Sequence, residues 1–208
     1  MHDHVLMRLS AALLPPGSVL DDLAAVVRSV RGSDVELYPV PPEEMLLPLA
    51  HFGNVGLTDR MALREVMAEE VARWAPLELR FRGGSALIDD GDDSVWAELD
   101  GDIEQLVAMG TVIPRVVQRL GFLIDRRVFR TRLRVARITA ATTVEVLERL
   151  LSRLEGYSGP AWTAHDVVLL RRQLGVDGEQ PGFDVLHELP LVGDAVGAGD
   201  LADGRHRG

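Results

Sequence analysis

The sequence predicts an α+β fold in which antiparallel sheets carry helices packed on their outer sides. Three observations predict it. Apolar residues recur with period 2 in some segments and at helical spacing in others, yet the two types do not follow a steady βαβ rhythm. Several neighbouring strand segments are joined by short turns. The two halves of the chain share an outline of strand, helix and turn-linked strands, without a residue-level repeat.

Val5–Leu14 reads as the first strand, stopped by Pro15-Pro16-Gly17. A helix over Val19–Val30 follows, with Leu20, Leu23, Val26, Val27 and Val30 on one face and Ser18 placed as its N-cap. Val35–Val40 and Leu46–Phe52 read as strands separated by the turn-rich Pro41-Pro42-Glu43-Glu44. A second helix runs from Thr58 to about Trp74, with Leu63, Val66, Met67 and Val71 on one face. Leu77–Phe81 and Val95–Leu99 are strands, and between them lie Gly83-Gly84 and the acidic turn Asp89-Asp90-Gly91-Asp92-Asp93. A third helix spans Ile103–Leu120. FRTRLRVAR at 129–137 is a strand, Val144–Leu154 a fourth helix, and His165–Arg171 and Phe183–Leu189 two late strands. Residues 1–192 read as a single domain, and the glycine- and aspartate-rich tail 193–208 has too little to bury to be ordered.

Hydrophobic content of 47% over 208 residues is ample for a buried core. The absence of cysteine excludes disulfides and thiolate metal sites and fits a reducing cytoplasm. No apolar run reaches about 18 residues, so no membrane span is expected. The apolar run near the N-terminus is preceded by acidic and histidine residues and broken by Arg8, a poor signal peptide. A net charge of −10 argues against bulk binding to DNA, so any polyanion contact must be local. All 22 basic residues are arginine, which GC-rich coding explains without selection for phosphate. No His/Asp/Glu cluster has metal-ligand spacing, the acidic turn lacks the ligand ladder of a calcium loop, and Gly83-Gly84 lacks the Lys-Ser/Thr of a phosphate-binding loop. No metal and no cofactor is expected.

Four segments carry a resemblance. They are RLSAALLPP (8–16), PPEEMLLPLAHFGNV (41–55), LGFLIDRRVFRTRLRVAR (120–137) and VVLLRRQLGVDGEQPGFDVLHELPL (167–191). In order and spacing they resemble the LigT-like two-histidine phosphoesterases, the family of 2′-5′ RNA ligases and RNA 2′,3′-cyclic phosphodiesterases. The resemblance implies a bilobal fold in which two antiparallel sheets face a central cleft. It also implies two His-x-Thr strands across that cleft, since residues i and i+2 share a strand face. One histidine would act as base, the other as acid, and the hydroxyls would hold phosphoryl oxygens.

All four motif positions are replaced. Leu46 and Pro48 stand in the first motif, Arg132 and Arg134 in the second. Leucine and proline cannot move a proton, and arginine stays charged at neutral pH. No catalytic residue is assigned, and the expected protein is a catalytically degenerate relative. Its candidate phosphate ligands are Arg132, Arg134 and, on the same parity, Arg130, facing a wall of Leu46 and Pro48. Such a row of charges requires anionic company, either internal carboxylates or the phosphate of a nucleotide or RNA end. His51 stands where the resemblance implies a core phenylalanine, and it falls on the far strand face if the strand is regular. His165 and His187 lie near the late strands, and His2, His4 and His206 near the termini. Two alternatives stay open: an active cyclic phosphodiesterase using relocated residues, and a non-catalytic scaffold whose protein partner the sequence does not name.

Overall fold

The structure, a computed structural model, describes residues 7–30, 37–87, 93–125, 129–172 and 182–193. In chain order the elements are β1 (Met7–Leu13), α1 (Gly17–Val30), β2 (Leu37–Pro39), a 3-10 turn (Pro42–Glu44), β3 (Leu47–Val55), α2 (Leu57–Val71), β4 (Leu77–Leu87), β5 (Ser94–Gly101), α3 (Ile103–Gln118), β6 (Arg132–Ile138), α4 (Val144–Glu155), β7 (Trp162–Ala164), β8 (Asp166–Arg172) and β9 (Phe183–Pro190).

The strands form two antiparallel sheets, β3-β1-β8-β9 and β2-β6-β5-β4-β7. Helices α2 and α3 pack on the first sheet, α1 and α4 on the second. The α+β class, the two lobes, the central cleft between the sheets and the outer helices are therefore as expected. The two sequence halves, however, do not correspond to the two lobes. The first sheet draws on both ends of the described chain, and α1, which follows β1, packs against the other sheet.

Burial explains the packing. In α1, Leu20, Leu23, Ala24, Val27 and Val30 recur every three or four residues and all face the core. In α4, Val146, Leu150 and Leu154 do the same, and Thr143 caps the helix by accepting a hydrogen bond from the Val146 amide. In β1, Leu9, Ala11 and Leu13 enter the main core, whereas Ala12 joins a separate small cluster with Val168 and Leu170 on the other face. That cluster contains strand and loop residues and no helix residue, which marks the face of the first sheet that the helices leave open.

Several boundaries move. Helix α1 begins at Gly17, before Ser18, and the Pro16 carbonyl accepts from the amides of Val19 and Leu20. Pro42–Glu44 forms a 3-10 turn. The strand expected over His165–Arg171 is β8, which starts at Asp166. The short strand β7 just before it was not expected and pairs with β4 in the other sheet, whereas β8 pairs with β1. Strand β4 continues past Phe81 to Leu87, absorbing Gly83-Gly84 in a bulge. Gly83 has φ +77°, and a Cβ on Gly84 would sit 2.7 Å from Leu154 and 2.8 Å from the Trp96 carbonyl, so glycine permits both the turn and the close approach of α4. His2, His4, His206, the tail beyond Gly193 and the acidic turn up to Asp92 lie outside the described residues. Among the described residues, no helix is long and apolar enough to cross a membrane.

Candidate functional site

Strand β6 sorts its residues by parity. Leu133 and Val135 are buried in the main core, while Arg132 and Arg134 are half-buried on the opposite face. In register with them on β5 stand Glu98 opposite Arg132 and Trp96 opposite Arg134. The two guanidinium carbons lie 4.9 Å and 5.2 Å from the centre of the Trp96 ring, both within cation–π range. The arginine row thus gains an aromatic platform. Glu98 turns its carboxylate to the Ser85 hydroxyl at 2.5 Å. Among the described residues, the buried Arg132 Nε and Trp96 Nε1 have no hydrogen-bond partner. A buried polar atom left without a partner costs about 1–3 kcal/mol, so an acceptor entering here would recover that cost.

Arg130 does not extend the row. It lies before the first residue of β6, is exposed, and donates to the Phe129 carbonyl at 2.8 Å. Leu46, one residue before β3, packs with Leu14 and Phe183 around the Ala12–Val168–Leu170 cluster on the open face of the first sheet. Pro48 stands in register with Ala12. Of the five residues that the sequence singles out, four therefore lie on inner sheet faces: two basic on one wall, and a proline and a leucine in an apolar patch on the other.

His51 is not where a regular strand would put it. The β1–β3 ladder has two bulges, one between Ala11 and Ala12 and one between Leu9 and Ser10. The first adds a residue to β3 and flips its parity, so His51 pairs with Ser10 and Pro48 with Ala12. Ser10 and Ala12 share a face, which brings His51 onto the same face as Pro48. Ser10 Oγ lies 2.6 Å from His51 Nδ1. Burial lowers the His51 pKa below the ordinary histidine value. The positive charge of Arg172 lowers it further, and Asp125, whose backbone bridges to His51, acts in the opposite sense. His51 is accordingly neutral at neutral pH.

Trp96 and Ser10 do not stand out in the sequence. For Trp96 the available signal was parity, since Trp96 and Glu98 alternate with apolar residues on the strand before the arginine strand. For Ser10 and His51 there was none, because a bulge is set by how two strands register. Among the described residues no group of three or more His, Asp and Glu is placed to hold a metal. A cavity of about 420 Å³ lies elsewhere, between α1 and β2, lined by Val27, Tyr38, Pro39, Met45 and Val135 on the helix-covered side. None of the site residues lines it, and among its mostly apolar walls Arg28 and Tyr38 carry its polar side chains.

Comparison with solved structures decides the architecture. Escherichia coli LigT in its complex with 3′-AMP superposes with a TM-score of 0.70 at 15% identity, over 89% of this chain and 98% of LigT. The chain has the LigT fold. The Thermus thermophilus protein TT0787 matches with a TM-score of 0.63 at 22% identity, over 90% of this chain and all of that one. A protein described as a phosphoesterase matches with a TM-score of 0.68 at 17% identity, over 89% of this chain and 98% of its own. No protein-family model matches the chain, and no curated protein does. The likeness to LigT is thus one of backbone course, and the chemistry must be argued from the residues in place.

Proposed function

We propose that this chain is a cytoplasmic relative of the LigT-type phosphoesterases that has lost two-histidine catalysis and binds a phosphorylated ligand, a nucleotide or RNA end, in its cleft. The observation that carries this reading is the Arg132–Trp96–Arg134 arrangement on the inner face of the second sheet. Two guanidiniums on one indole give paired donors for phosphoryl oxygens next to a flat surface suited to a base. E. coli LigT has been crystallised with phosphate, with 3′-AMP, with ATP and with NADP+, which supports a nucleotide as ligand class for a cleft of this fold.

Degeneracy follows from the same positions. Leu46, Pro48, Arg132 and Arg134 offer no proton acceptor and no neutral hydroxyl. General acid–base catalysis contributes roughly 10²–10⁴-fold per group, so a reaction that needs both groups is severely impaired. Calorimetric titration with 3′-AMP tests the reading. Binding that weakens with salt and is lost in Arg132→Ala/Arg134→Ala supports it. Absence of binding heat with 3′-AMP and with inorganic phosphate at low ionic strength overturns it in favour of a scaffold.

A further inference from the structure

The two bulges in the β1–β3 ladder place a histidine on the inner face of the first sheet, at a position that is not part of either motif. Ser10 and Ala12 are two residues apart on β1, so their register partners His51 and Pro48 are separated by roughly 7 Å along the ladder. His51 thus lies one step beyond the lost first motif, on the wall that faces Arg132 and Arg134. Ser10, itself buried, holds Nδ1 at 2.6 Å and fixes the ring, leaving Nε2 as its other proton-transfer atom. The charged groups that act on it come from two segments, Arg172 on β8 and Asp125 in the stretch bridged to β3, while Arg8, two residues before Ser10 on β1, is exposed and pairs in register with Asn54. Burial, and after it the charge of Arg172, hold the ring below the ordinary histidine value against the opposing pull of Asp125, so it is neutral at pH 7, the form that accepts a proton.

We propose that His51, oriented by Ser10, is a proton acceptor for hydrolysis of phosphodiesters whose leaving group departs as a stable anion. The proposal rests on the phosphate-binding reading of Arg132 and Arg134. The oxygen of a water attacks phosphorus and forms the new P–O bond, while the water proton passes to His51 Nε2. The P–O bond to the leaving group breaks, and that group leaves with the electron pair as an aryl oxide. His51 then returns the proton to solvent. Leu46, Pro48, Arg132 and Arg134 supply no acid for an alkoxide, so aryl esters are the matching substrate class and alkyl esters are not.

The experiment uses bis(4-nitrophenyl) phosphate as substrate and 3′-AMP as the binding probe. The full chain is expected to release 4-nitrophenolate with a rate that rises through one ionisation below the usual histidine value near pH 6.5 and then stays level. His51→Gln should lower kcat/KM by roughly 10²–10³-fold with 3′-AMP affinity unchanged. Ser10→Ala, a smaller change that guards against misfolding of the first variant, should lower kcat more than it raises KM and should move the pH limb. Retained 3′-AMP binding with no turnover, or turnover that His51→Gln leaves intact, overturns this proposal alone. Loss of 3′-AMP binding in the wild-type chain overturns the reading on which it rests.

Discussion

Replacing Arg132 by methionine separates a ligand site from a structural ion cluster. Arg132 and Arg134 are neighbours on one strand face, roughly 7 Å apart. Two unit charges at that separation repel by about 2 kcal/mol at an effective dielectric near 20. Against this, the contact of the Arg132 guanidinium with Trp96 at 4.9 Å contributes about 0.5–2 kcal/mol, depending on its desolvation. Methionine removes the charge, relieves the repulsion and keeps most of the side-chain packing, so the unliganded fold should be unchanged or more stable by up to about 1.5 kcal/mol. Binding should respond in the opposite sense. A charge-assisted hydrogen bond to phosphate is worth about 1.5–3 kcal/mol, a loss of roughly 10- to 150-fold in affinity for 3′-AMP. Urea unfolding measures the first quantity and calorimetry the second. A variant destabilised by more than about 2 kcal/mol with unaltered affinity would show that Arg132 is a structural cation satisfied within the protein, and the argument would fail.

Other consequences are open to measurement. Leu150→Ala empties a fully buried position of α4 and should cost about 2–5 kcal/mol in urea unfolding. Thr143→Ala removes the α4 cap and should cost about 1 kcal/mol, whereas Thr143→Ser should cost much less. Gly84→Ala should destabilise measurably, because its Cβ would meet the Trp96 carbonyl, which cannot step aside as a side-chain tip can. His51 has a depressed pKa in the folded chain, so the unfolded chain binds more protons below the usual histidine value near pH 6.5. Its stability contribution is therefore complete above that pH and is lost as pH falls through the folded value. His51→Gln should flatten the acid side of the stability–pH curve, and an unchanged slope would contradict the placement of His51.

The sequence carried the architecture because the architecture is written in periodicity. Helices α1 and α4 repeat apolar residues every three or four positions, and β6 alternates Leu133 and Val135 with arginines, so one face of each is legible without coordinates. Interruptions of period were not legible. Nothing in WTAHDVVLLRR marks the change of sheet across His165 between β7 and β8, and nothing in LPLAHFGNV shows that a bulge returns His51 to the inner face. The expectation that His51 points away assumed a regular strand, and the register of β1 against β3 overturns it. The arginine row was legible as to Arg132 and Arg134. Where Arg130 would sit was not legible, because β6 starts at Arg132 and Arg130 lies exposed in the approach to it. Trp96 escaped notice because its role depends on which strand lies beside β6, a fact of topology that alternation on one strand cannot supply.

A crystal structure of the chain with 3′-AMP tests the central claim most directly. Phosphate oxygens should lie within hydrogen-bond distance of both the Arg132 and Arg134 guanidiniums, with Arg132 Nε among the donors. A nucleotide bound in the cavity between α1 and β2, beside Arg28 and with Arg132 and Arg134 still packed on Trp96 and untouched by ligand, would contradict it.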